Sequence, residues 1–382
     1  MTVENIARWA QRKGLDLLGT GDGLQSEWLA ALEAAMEEAE PGWLKLRPEV
    51  EARVARTLPE RLRRTLRHVV SAEVCCAPPG TPALGGIHHL LYFPSLEHAR
   101  RFRERMGPHG DLREGRPELA LNSRELLAAL LEFDPRCRLA PAHVFNPWYS
   151  TLGTVSGGRT LAETFGDLEP HVLAVETGLT STPAMCRRVS ALDACALFSN
   201  SDAHSLENLG RECTLVDIAP GYEALMRALG GGSIAGTIKF PVERTRYYLN
   251  RCGACKQSFE GRRCPRCGHA LVMGARDRLE RIADRTEPVM RDAPFMQVLP
   301  LAYVLAEQMG VPRTAKPVQA WLERLLESLG NERHILTEAS EEEIADATTV
   351  SLARAIVLQR MEAPRRIAED PPAEEGQLGL GL

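Results

Sequence analysis

No stretch of the 382-residue chain approaches the roughly 18 apolar residues that a membrane span requires. No basic-then-apolar leader opens it. Both absences point to a cytoplasmic protein with no membrane partner. Internal repeats are also lacking. Nor is there a surplus of positive charge: 46 Lys+Arg against 51 Asp+Glu leave a net charge of -5, which speaks against a generally basic nucleic-acid binder. What is present is ordinary for a globular chain, with 44% hydrophobic and 25% charged residues, so a wholly disordered protein is excluded. The length exceeds one ordinary core and implies two or three units.

Residues 1 to about 236 alternate helical and strand patterns. Ile6, Trp9 and Ala10 share one face of a helix expected from Val3 to Lys13, which Gly14 stops. Further helices are expected over Glu27–Ala39, Glu60–Arg67, Pro94–Met106 (capped by Ser95) and Ser123–Glu132 (capped by Ser123). Short strands are expected at Leu15–Leu18, Val69–Val70, Gly86–Tyr92, Leu139–Ala142, His171–Val175 and Ala196–Ser199. This alternation predicts an α/β domain with a largely parallel sheet. The run Gly230-Gly231-Gly232-Ser233 marks a boundary. A cysteine-rich segment follows over 237–275, then helical sequence to about 360, with Leu322, Leu325, Leu326 and Leu329 on one face. Residues 361–382, rich in Glu, Pro and Gly, are expected to be disordered.

Six of the ten cysteines (Cys75, Cys76, Cys137, Cys186, Cys195, Cys213) are scattered and read as reduced, small buried side chains. The other four form two C-x-x-C pairs, Cys252/Cys255 and Cys264/Cys267, separated by eight residues. Two such pairs bring four thiolates to one tetrahedral ion, which suits a structural zinc. The surroundings are basic. Between Arg244 and Arg281 lie ten Lys or Arg and three Asp or Glu, a local charge of +7. Arg244, Arg246, Arg251, Lys256, Arg262, Arg263 and Arg266, with Tyr247 among them, offer phosphate contacts and a stacking face for DNA. A solvated ribbon surface is the alternative.

A second signal lies in the α/β segment. Asp22, Glu73, His89, His143, Asp202 and His204 stand in or just after expected strands, where barrel-like domains gather their chemistry. In Gly86–Tyr92, Ile87, His89 and Leu91 share a face, which makes His89 the ligand candidate and His88 the spare. Mixed carboxylate and imidazole ligands suit zinc, manganese or iron, and several ions together suit phosphoryl transfer. Glu176 is either a strand-end carboxylate or a partner that orients a ligand.

The segment Ser199-Asn-Ser-Asp-Ala-His-Ser205 with Leu209-Gly-Arg-Glu212 resembles the polymerase and histidinol phosphatase (PHP) superfamily. Asn5–Ala10, Gly19–Asp22, His88–Leu91, Pro141–His143 with Pro147-Trp148, Phe165–Leu168 and Glu176–Leu179 resemble its endonuclease Q branch. The likeness covers almost the whole chain. It implies a distorted PHP-type (β/α)7 barrel over 1–236, a four-cysteine zinc ribbon over 237–275, a helical DNA-binding domain over 276–360 and a tail over 361–382. It also implies a nucleoid-associated repair endonuclease that nicks DNA 5′ to uracil, hypoxanthine, xanthine or abasic sites. Its catalytic zinc, manganese or magnesium ions would be held by Asp22, Glu73, His89, His143, Asp202 and His204.

Two departures accompany the likeness. The family's first strand carries a His-x-His pair of ligands before the Asn-Ile-Ala-Arg-Trp segment, and Met1 stands immediately before that segment here. A start upstream of Met1 is the favoured explanation. The family's usual His after Asp22 is replaced by Gln25. The alternatives are therefore a catalytically impaired PHP-fold DNA-binding protein, or a phosphoesterase acting on a small phosphorylated substrate, which the basic ribbon argues against. Asn146, Trp148 and Tyr149 are further candidates for DNA contact, with core packing as the alternative for Trp148. At the tail, Gln377–Leu382 resembles a sliding-clamp-binding peptide without its final aromatic residue.

Overall fold

The computed structural model describes residues 1–81, 85–289 and 293–361. The expected disordered tail and the clamp-like peptide Gln377–Leu382 lie outside the described residues, apart from Met361 at the end of the last helix. The first helix is Val3–Lys13, closed by Gly14 in the left-handed region (φ 83°). Strand β1 (Leu17–Gly19) follows, then a helix over Ser26–Ala35.

This helix is shorter at its C-terminal end than the expected Glu27–Ala39. The helix stops at Ala35, and the charged run continues as strand β2 (Met36–Glu40), turning at Pro41-Gly42 into β3 (Trp43–Leu46). Gly42 has φ 74°, and a Cβ there would meet Tyr222 at 2.5 Å, so the turn needs glycine. Three glutamates in a sheet-edge strand resemble a solvated helix face, which hid the hairpin from periodicity. The helix expected at Glu60–Arg67 is only a 3-10 turn, Glu60–Leu62, and an unanticipated helix spans Pro48–Arg56.

The expected pair Val69–Val70 is the core of a ten-residue strand, β4 (Arg67–Cys76). It pairs with β5 (Ile87–Phe93) and, in parallel, with the short β6 (Glu118–Leu119), while β7 (Arg138–Pro141) lies beyond β5. The sheet runs β2-β3-β4-β5-β7, with β1 and β6 also on β4. Its β2–β3, β3–β4, β4–β5 and β5–β7 pairs are antiparallel, so the largely parallel sheet is corrected to a mixed one. A parallel pair, β8 (Ala174–Glu176) and β9 (Ala196–Phe198), continues the curve beside β7. The result is a curled half-barrel. The two helices packed on its outside, Leu96–Met106 and Ser123–Phe133, form where expected, but Asn122 rather than Ser123 caps the second, in a capping box with Glu125.

Side-chain parity along β4 and β5 decides what each face carries. Val70, Ala72, Val74, Leu91 and Phe93 pack outward against Phe102, Met106, Leu126 and Leu130 of these helices. Val69 and Tyr92 face the concave side with Trp43, Ala140, Ala174, Ala196 and Phe198.

Strands β10 (Cys213–Val216) and β11 (Ile234–Lys239) pair antiparallel across the glycine run. The cysteine ribbon follows as β12 (Asn250–Cys252), β13 (Ser258–Phe259) and β14 (Leu271–Val272), and then β15 (Phe295–Gln297) returns to lie parallel to β11. The C-terminal part is helical, including Lys316–Leu329 with Val318, Leu322, Leu325 and Leu326 buried. A buried ion pair, Lys13 to Glu332 at 2.7 Å, ties the first helix to it. No helix among the described residues is long and apolar enough to cross a membrane.

Candidate metal centre and basic ribbon

The concave face of the half-barrel is where polar side chains accumulate. Glu73 sits in the middle of β4, on the same side as Val69 and Ser71, and the β4–β5 register sets His88 opposite Cys75. The apolar row His89, Leu91, Phe93 faces the outer helices, so its partner row, His88, Leu90, Tyr92, faces inward. This reverses the assignment made from the sequence. His89 is fully buried among the outer helices, with Nε2 2.8 Å from Ser123 Oγ and its ring against Phe165. His88 instead meets Glu73 and His143.

The three ligand atoms are mutually close. His88 Nδ1 lies 2.9 Å from Glu73 Oε1, His143 Nε2 lies 3.4 Å from the same oxygen, and the two ring nitrogens are 3.2 Å apart. Ligands about 2.0–2.2 Å from one tetrahedral ion would stand roughly 3.3–3.6 Å from each other. The donor set therefore fits one divalent ion. Tyr149 stacks on His88, centroids 4.6 Å apart and planes 12° from parallel, and fixes the ring.

Electrostatics prepare the same group. Burial alone would raise Glu73, but His143 and His88 hold its carboxyl well below the usual carboxylate range. Burial pushes His88 down to about 4 despite Glu73, so its ring is neutral and able to ligate. Burial also works against charge on His143, yet Glu73, Asp202 and Glu176 outweigh it and lift the ring to about 9. Glu176, buried at the end of β8, is pushed up to about 7 by burial, and its Oε2 accepts the His143 backbone N–H at 2.8 Å.

Asp22, Asp202 and His204 surround this cluster rather than joining it. Burial, then the nearby Glu73, raises the Asp22 carboxyl. Gly115 lies so close that an added Cβ would be 3.0 Å from the Asp22 carboxylate. Asp202 and His204 pair loosely at 3.7 Å, and His204 is exposed. Four non-glycine residues among those described have positive φ, and three are Asp22 (38°), His143 (30°) and Asp202 (44°). Non-glycine residues take positive φ uncommonly, Asn, Asp and His more readily than the rest, and such outliers gather at functional sites. Gln25 is engaged elsewhere: its side chain caps the Ser26–Ala35 helix through the Trp28 N–H.

The ribbon is built as two like knuckles. Lys256 N–H donates to Cys252 O at 3.0 Å, and Gly268 N–H to Cys264 O at 2.9 Å. Both residues, each following the second cysteine of its pair, take positive φ (58° and 74°). The four sulfurs converge, with Cys252–Cys267 at 3.5 Å and Cys255–Cys264 at 3.8 Å. Around a zinc with bonds of about 2.3 Å, tetrahedral sulfurs stand about 3.8 Å apart, so the cluster fits one zinc.

The basic residues divide by environment. Arg246, Lys256, Arg262, Arg263 and Arg266 are exposed. Arg244 is paired with Glu307, and Arg251 is half-buried over the Tyr247 ring at 5.8 Å. Arg278 is turned inward onto the carbonyls of Leu152 and Gly158, at 2.9 and 2.6 Å, and anchors the ribbon's exit helix to the half-barrel.

No family model matches the chain. The uncharacterized protein YqxK of Bacillus subtilis is 27% identical over 375 residues, covering 94% of this chain and 88% of that protein. An uncharacterized protein of Methanocaldococcus jannaschii is 27% identical over 201 residues, 47% of this chain and 26% of that one. Among solved structures, the lesion-specific endonuclease PfuEndoQ of Pyrococcus furiosus superposes with a TM-score of 0.80 at 28% identity, over 94% of this chain and 86% of that chain. An endonuclease Q complex with a 27-mer duplex carrying an abasic lesion at its active site gives 0.81 at 28% identity, over 95% and 88%. The chain thus shares the endonuclease Q fold over nearly its whole length.

On this endonuclease Q fold the sequence-predicted residues separate into three groups. Glu73 and His143 meet at ligand distance, Asp22, Asp202, His204 and Glu176 flank them, and His89 is displaced to the outer core. Two members were missed. His88 was readable from the apolar partners of His89 in the same strand, Leu91 and Phe93, which mark the helix-facing row. Arg116, whose Nη1 is 3.8 Å from Glu73 Oε2, lies in a loop with no periodicity to reveal it.

Proposed function

We propose that the protein is a metal-dependent DNA repair endonuclease that nicks DNA 5′ to deaminated bases (uracil, hypoxanthine, xanthine) or abasic sites. The observation that carries this reading is the ligand-spaced Glu73–His88–His143 cluster, ringed by Asp22 and Asp202 on strained backbone, in a fold shared with a DNA-bound lesion endonuclease. A bound divalent ion supplies a polarised phosphoryl oxygen and a more acidic water. Glu73, His88 and His143 would hold it, with Asp22, Asp202 and His204 as further carboxylate and imidazole donors. Glu176 orients His143 through its backbone N–H, and Arg116 offers a guanidinium at the rim for the scissile phosphate. The ribbon over 237–275, through Arg246, Lys256, Arg262, Arg263 and Arg266, and the helices over 276–360 would carry the flanking backbone. Extruding a damaged base costs least where pairing is already weak, which favours lesions.

The test is incubation with manganese or magnesium and duplexes carrying one uracil, hypoxanthine, xanthine or abasic site. Nicking on the 5′ side that is lost in His143→Ala, with DNA binding retained, is the expected result. Intact lesion duplexes at saturating protein and metal would refute the reading. A second reading, DNA binding without cleavage, is favoured by Gln25, whose capping role leaves no imidazole at that position. It predicts lesion-independent retention of DNA and no nick.

A further inference from the structure

Behind the concave face lies a charged pair that none of this chemistry uses. Lys239, the last residue of β11, and Glu212, just before β10, are both fully buried, with Nζ 2.6 Å from Glu212 Oε2. The ammonium also donates to Thr177 Oγ1 at 2.9 Å and Gly178 O at 2.5 Å, which engages all three of its protons. Glu212 Oε1 accepts the Phe240 N–H at 3.0 Å. Desolvating two charges is costly, and well-packed apolar residues generally stabilise a core as well or better. Stability alone therefore does not account for the pair.

Its contacts suggest what does. The Glu176–Gly178 turn supports His143 from two directions. Glu176 accepts the backbone N–H groups of His143 (2.8 Å, through Oε2) and Val144 (2.9 Å, through its carbonyl). Gly178 packs so tightly that a Cβ would lie 2.5 Å from His143 Cβ. On the other side, Thr177 Oγ1 is 2.7 Å from Ser199 Oγ, and Arg211, the neighbour of Glu212, donates to the carbonyls of Ser201 and Asp202 at 2.7 and 2.8 Å. The pair thus stands where the support of His143 meets the loop bearing Asp202.

We infer that Lys239 and Glu212 are positioning residues that lock the Glu176–Gly178 turn and, through Arg211, the Ser201–Asp202 loop, so that His143 reaches Glu73 and His88 at ligand distance. The inference rests on reading that cluster as a metal centre. The alternative is a purely structural cross-link between β11 and the half-barrel.

Manganese binding separates the two. Mn²⁺ prefers oxygen and imidazole donors over thiolates, so an electron paramagnetic resonance titration of protein brought to one zinc per chain, the ribbon's, reads the half-barrel site and not the ribbon. Lys239→Met/Glu212→Gln removes both charges and keeps an acceptor for Phe240. Loss of an orienting partner behind a ligand typically weakens metal affinity about 10–100-fold, and that loss is expected with circular dichroism and ribbon zinc unchanged. A folded double variant that binds manganese as the wild type does overturns the inference. Should the double variant fail to fold, Thr177→Val decides: it removes one Lys239 contact, weaker manganese binding supports the inference, and unchanged binding overturns it. Wild-type protein that takes up no manganese overturns the metal-centre reading and this inference with it.

Discussion

Exchanging the two adjacent histidines of β5 in turn gives the sharpest contrast. His88 faces Glu73 and His143, and His89 faces the outer helices, although the two are neighbours in the chain. His88→Leu removes a ligand, and manganese binding and lesion nicking should both be lost. His89→Leu should leave both intact, because its change is confined to stability. Burial pushes the His89 ring down to about 3, against about 6.5 in the unfolded chain. Between those values the unfolded chain binds a proton that the folded one refuses. Stability is therefore full above pH 6.5 and declines as pH falls toward 3, by about 1.4 kcal/mol per unit at most. At pH 5 the accumulated loss is about 2 kcal/mol. The leucine variant lacks this contribution. At pH 7 it loses one Ser123 hydrogen bond, worth about 1 kcal/mol, and gains by removing the unpartnered buried Nδ1, worth about 1–3 kcal/mol. Urea denaturation should thus show His89→Leu equal to the wild type or up to about 2 kcal/mol more stable at pH 7, with the difference widened by about 2 kcal/mol at pH 5. If His89→Leu abolishes manganese binding while His88→Leu retains it, the assignment of strand faces is wrong.

Three further outcomes are expected. Cys255→Ser should leave zinc below one ion per chain by mass spectrometry and release the ribbon to proteolysis, since so short a unit depends on its metal; full zinc occupancy would remove the ribbon site. Gly178→Ala places a side chain on φ 63° and against His143, so it should lower thermal stability by the equivalent of about 1–2 kcal/mol and weaken manganese binding, measured on the same sample. Replacing Arg262, Arg263 and Arg266 with alanine should flatten the slope of log affinity against log salt by about 0.9 for each phosphate that is no longer neutralised; weaker binding with an unchanged slope would show that these side chains do not meet phosphates.

Much of this architecture is legible in the residues because local signals and tertiary packing agree. The first helix with its Gly14 stop, the Ser95 cap and the two cysteine knuckles each carry a short-range chemical reason. The failures fall where a local pattern has two physical solutions. Met36–Glu40 satisfies a solvated helix face and an edge strand equally well, and only the Pro41-Gly42 turn and pairing with β3 decide between them. Parity in β5 had the same ambiguity. A histidine row can face a site or a core, and the choice depended on which face the outer helices cover. Glu73 shows a third limit. It was expected at a strand end, yet it lies inside a strand, because β4 runs on to pair with β6. The family likeness supplied motifs without saying which of two neighbouring histidines points inward.

The strained backbone at Asp22, His143 and Asp202 bears on how this chain can drift. Each position would relax on substitution by glycine, by roughly 1 kcal/mol. A lineage released from catalysis would meet such opportunities at Asp22 and Asp202, whereas at His143 the buried Glu73 Oε1, left without that partner, would oppose the change. The chain has taken none of them. Comparing these three positions across relatives, before any assay, is therefore a way to sort working copies from retired ones.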